Sequence, residues 1–139
     1  MKAKVNTAFL NYLTGPMNGG ADDDDMVKEY IDLDANNELL VKEIIKSRLL
    51  PNYLSRSPIF KKKLKIALSY SLSSTTHWGS QYDSVLLPFD HPDDPRLFYL
   101  WIWEVFFPKE RFMIDKCGDF EEVQDFNEPL LILRREKSR

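Results

Sequence analysis

The residues able to do chemistry in this chain are few and clustered. Asp90, His91, Asp93 and Asp94 crowd into one short stretch, with His77 and Asp83 ahead of it. Imidazole and carboxylate together suit zinc, manganese or iron, so a small metal-dependent hydrolase built on His77, His91 and the neighbouring aspartates is one reading. The same stretch, Asp-His-Pro-Asp-Asp-Pro, is also ordinary turn chemistry, because aspartate bonds its own backbone and proline presets the turn. The single cysteine, Cys117, could join His77 or His91 as a thiolate dyad, yet a lone cysteine beside aromatic residues is more often an inert core residue. No glycine loop able to cradle phosphate is present, and Gly79-Ser80 lacks the G-x-S-x-G frame of a nucleophile elbow. No cofactor and no resident metal are expected.

Charge is the stronger signal. The net charge of −3 conceals alternating blocks: acids dominate 22–38, bases dominate 42–65, acids return over 83–128, and the last residues are basic. Such alternation predicts internal pairing or a polar contact surface. Asp22, Asp23, Asp24 and Asp25 repel one another unless solvated or bound to a cation, and they lack the alternating acids and terminal glutamate of an EF-hand. Lys61, Lys62, Lys63 and Lys65, with Tyr53 and Phe60 nearby, have the ingredients of a nucleic-acid surface. An isoelectric point near 5.4 opposes a polyanionic partner everywhere else on the chain. Trp78 and Tyr82 sit in a polar stretch, where such residues either cap a core or anchor an interface.

These residues must be positioned by a core, and 97–107 supplies it. Six aromatic residues fall in that run and Glu104 is its one charge. Asp94-Pro95 reads as a helix start, but Phe, Tyr, Trp, Ile and Val favour a pleated sheet, so the expectation is a central strand, with a buried helix over 95–107 as the alternative. An amphipathic helix is predicted over 3–14, and a second from Asn36 or Asn37 to about Leu50, stopped by Pro51. The clearest helix starts at Ser57-Pro58, with Phe60, Leu64, Leu68 and Leu72 recurring every four residues. Residues 73–84 read as a loop, 84–89 as an edge strand, 111–115 and 130–134 as strands, and 119–126 as a short helix or loop. The order predicts an α+β fold, N-terminal helices packed on one face of a C-terminal, mainly antiparallel sheet.

At 139 residues, 43% apolar, the chain is one domain's worth with a sizeable core. One cysteine suits a reducing compartment, and no secretory leader or bilayer-spanning run is read, so the expected location is cytoplasmic. The leading expectation is a non-enzymatic protein-interaction module, of the kind exemplified by a small acidic inhibitor or immunity-type protein that blocks a basic partner. Its candidate contacts are Asp22, Asp23, Asp24, Asp25, Trp78, Tyr82, Asp83, Asp90, Asp93 and Asp94. Neither a membrane nor a nucleic acid is the expected partner.

Overall fold

A strand, β1 (Ala3–Asn6), ends where the Asn6 side chain accepts the Ala8 N–H and starts a 3-10 helix over Thr7–Tyr12. The computed structural model describes residues 3–74, 78–112 and 120–137. Two short 3-10 turns, Gly15–Met17 and Gly20–Asp22, lead to α1 (Asp24–Glu29), capped by Asp23, whose carboxylate accepts the Asp25 and Met26 N–H groups. Asn37 caps α2 (Glu38–Ile44), which passes through a π turn at Ile45–Leu49 into α3 (Leu50–Leu54). The long α4 (Pro58–Ser74) and α5 (Trp78–Ser84) follow. Next come α6 (Pro95–Phe106), β2 (Phe120–Val123) and α7 (Asn127–Lys137).

The core forms around α6. Phe98, Tyr99, Trp101, Ile102, Trp103 and Phe106 are buried, while Leu97, Leu100 and Glu104, spaced three and four residues apart, make its outer stripe. α2, the π turn, α4 and α5 pack against it. Glu104 escapes burial by reaching Lys42 at 2.5 Å. The α4 contribution is Phe60, Leu64, Ala67, Leu68, Ser71 and Leu72, and Phe60 meets Phe9 edge-on at 5.2 Å. Arg96, from the first turn of α6, donates to the Leu72 carbonyl at the end of α4.

Several expectations are corrected. Among the described residues the protein is mostly helical, and its sheet is two strands, β1 and β2, running parallel. It is not helices laid on a C-terminal antiparallel sheet. Residues 97–107 are helix, because sheet propensity is a weak preference that burial overrides, and a helix apolar on nearly every side is stable once other helices cover it. The predicted strand at 130–134 is the middle of α7, and the stretch 119–126, predicted as a short helix or loop, contains β2. The helix predicted over 3–14 is strand then 3-10 helix, since Val5 and Asn6 find backbone partners in β2 across more than a hundred residues. Parallel strands need such a crossover, here made of helices. Pro51 does not stop α2: the π turn shifts the bonding register so that the proline falls in the first turn of α3, where its missing N–H costs nothing. The loop predicted at 73–84 contains α5. The predicted strand at 84–89 is irregular, although its carbonyls are used, and most of 111–115 lies outside the described residues.

Candidate functional site

The two acidic stretches, about sixty positions apart in sequence, are brought together by a small set of bonds. Gly19 N–H donates to the Val85 carbonyl and Ala21 N–H to the Leu86 carbonyl, each at 2.9 Å. Gly19 adopts a φ of 78°, which glycine reaches at no steric cost. Gly20 sits so tightly that a Cβ there would lie 2.8 Å from the Pro88 ring. Further along, the Tyr30 ring meets Phe89 edge-on at 5.5 Å, and the Asp93 N–H donates to Asn36 Oδ1 at 2.8 Å. The loop ahead of α1, α1 itself and the turn after it therefore lie beside residues 85–93.

That juxtaposition brings two aspartate-bearing segments side by side. Asp22, Asp23, Asp24, Asp25, Asp83, Asp90, Asp93 and Asp94 are all exposed, as are Asp32 and Asp34 beside them. The described ion pairs use none of these aspartates. They join Lys42 to Glu38 and Glu104, Arg48 to Glu29, Lys63 to Glu128 and Lys65 to Glu110. Four bases of the basic block, Lys42, Arg48, Lys63 and Lys65, thus pair with glutamates of both acidic blocks, and no described ion pair reaches the aspartates. Two of them also serve the backbone, Asp23 at α1 and Asp94 at α6, where its carboxylate accepts the Arg96 N–H.

Two apolar side chains stand in the same region. Leu86 is 50% exposed and holds a left-handed φ of 52°, and Ile31, which precedes Asp32, is 72% exposed. A β-turn or loop leucine with positive φ stores roughly 1–3 kcal/mol of strain, fixed here by the Ala21 bond. No pattern in the sequence marks Leu86. Trp78 and Tyr82, expected as anchors, are buried instead. Trp78 is tilted against Tyr99 at 4.5 Å, and Tyr82 donates to the Phe89 carbonyl at 2.5 Å. Burial, followed by Tyr99, Asp90 and Asp83, holds the Tyr82 phenol far above its ordinary pKa.

The alternative sites are less assembled. His77 and Cys117 lie outside the described residues, as does any pairing between them. His91 donates through Nδ1 to the Pro92 carbonyl and stands edge-on to Tyr82 at 5.4 Å. Among the described residues no three His, Cys, Asp or Glu side chains form a group that could hold a metal ion. A recess of about 490 Å³ beside Trp78 has Glu122 as its one carboxylate among hydroxyl and amide side chains. Of the lysine run, Lys63 and Lys65 are paired with glutamates and Lys65 also covers the Phe107 ring at 4.7 Å. Phe60, a candidate stacking surface, is fully buried. No helix among the described residues is long and apolar enough to cross a membrane. No family model, no curated protein and no solved structure matches the chain.

Proposed function

We propose that the protein is a non-enzymatic interaction module whose aspartate face binds a basic partner protein. One observation carries this reading: two acidic segments distant in sequence are bonded side by side, and none of their exposed aspartates enters a described ion pair. Uncompensated like charge on one face is destabilising to the isolated molecule and useful for steering an opposite charge. Leu86 and Ile31 supply the apolar contact that charge alone lacks, taking the anchoring role that Trp78 and Tyr82, being buried, do not offer in this conformation. An inhibitor or immunity-type role needs no more chemistry than this.

The test is parallel capture from source lysate with the wild-type protein and with a variant carrying Asn at 22, 24, 25, 83, 90 and 93, which leaves the capping aspartates in place. A basic protein retained by the wild type at low salt and lost by the variant is the expected result. Equal retention by both proteins, or no retained protein, contradicts the reading.

A further inference from the structure

A second surface, sharing no residue with the aspartate face, has the opposite character. α4 and α7 run antiparallel, tied at one end by Lys63 to Glu128 at 2.8 Å and at the other by the Ser57 N–H to Glu136 Oε1 at 3.1 Å. Along these two helices lies an open groove of about 840 Å³, lined also by the end of β1, by Val123 of β2 and by Asp125.

The walls repeat one spacing. On α4 the groove is lined by Ile59, Lys62, Lys63 and Ile66, and on α7 by Glu128, Leu131, Ile132 and Arg135. Both sets run i, i+3, i+4, i+7, which is one face of a helix over two turns, roughly 10 Å. Ile59 is 53% exposed and Leu131 50%, so the aliphatic lining is open to solvent rather than filled from within. Lys62 and Arg135 are also exposed, and neither enters a described ion pair. With Lys63 and Glu128 paired, Lys4, Lys62 and Arg135 stand against Asp125 alone, so in a chain of net charge −3 the lining is locally positive around an apolar trough.

We propose that this groove receives an acidic amphipathic helix of a partner protein. Two antiparallel helix faces leave a seat for a third helix, which lays its apolar stripe between Ile59 and Leu131. Its flanking carboxylates meet Lys62 on one wall and Arg135 on the other, and charge complementarity makes an acidic occupant the one that fits. Nucleic acid fits less well, because none of the lining residues is aromatic and a phosphate backbone leaves the aliphatic floor uncovered.

The experiment is selection from a displayed library of helices about five turns long, with leucine on one stripe and Glu, Lys, Gln or Ala at the flanking positions. The wild-type protein and the exposed-residue variant Lys62→Glu/Arg135→Glu are the baits, and thermal melting confirms that the variant folds. The wild type is expected to enrich acid-rich helices that bind the variant at least about tenfold more weakly. Enrichment no greater than with the variant, or enrichment of basic helices, overturns the proposal. So does a labelled single-stranded oligonucleotide or fatty acid that binds the wild type, is lost in the variant and displaces the selected helix. Sedimentation showing a dimer that the variant abolishes assigns the groove to a second copy of this chain and likewise overturns it.

Discussion

The Tyr99 hydroxyl is buried in the core and has no hydrogen bond of good geometry, although the Gln81 side chain is near enough to act on it. Burial, with Asp83 adding to it and the Gln81 side chain opposing, keeps its pKa raised. An unpaired buried hydroxyl costs about 1–3 kcal/mol, so Tyr99→Phe should raise the melting temperature by a few degrees, equivalent to about 1 kcal/mol. A fall measured by calorimetry would mean the hydroxyl has a partner. Glu128 shows the opposite case. Burial alone would raise its pKa, but hydrogen bonds from Lys63 and Asn6 outweigh that and leave it lowered. Its contribution is therefore full above the ordinary glutamate value of 4.5 and is lost as pH falls through the lower, folded value. Glu128→Gln should be less stable than wild type at neutral pH, with the gap closing in acid denaturant titrations. At the alkaline end, burial and then Glu110 push Tyr53 from 10.0 up to about 12. Its neutral form is favoured in the folded state, so stability should fall as pH rises between those values, and Tyr53→Phe should lessen that fall.

At the scale of elements, the joint between Gly19, Gly20, Ala21 and residues 85–88 holds the aspartate face together. Gly20→Val should cost about 1–3 kcal/mol through its clash with Pro88, and amide hydrogen exchange should show Ala21 losing protection. Unchanged exchange would place the joint elsewhere. α4 was legible because a four-residue spacing of large apolar residues has one explanation, and α2 was legible from an apolar stripe preceded by Asn36 and Asn37, of which Asn37 is the cap. α6 was harder. Its helical stripe, Leu97, Leu100 and Glu104, is mostly apolar, so periodicity is nearly erased and residue preference points to sheet. Asp94-Pro95 was the correct local signal, outweighed by composition. β1 and β2 were illegible because each is four residues long and gains its pairing from the other end of the chain. Leu86 and Ile31 were invisible for a related reason: their exposure follows from the joint and from the end of α1, which no local pattern records.

For the whole molecule, the alternating charge blocks resolve into a division of labour. Glutamates pair with four of the eight bases of the 42–65 block, and no aspartate enters a described ion pair. That pairing was anticipated in outline by the sequence, while the meeting of the two acidic segments depends on the tertiary bonds between 19–36 and 85–93. Substitutions of the aspartates that cap no helix should change stability by under about 0.5 kcal/mol while changing association strongly. The most direct measurement is the association rate of the captured basic partner with two separate variants, Asp22→Asn/Asp24→Asn/Asp25→Asn and Asp83→Asn/Asp90→Asn/Asp93→Asn, across a salt series. One shared face predicts that each variant slows association with the same partner by roughly tenfold at low salt and flattens its salt dependence, with little change in dissociation. Slowing by one variant alone, or by neither, would contradict a single face built from both segments.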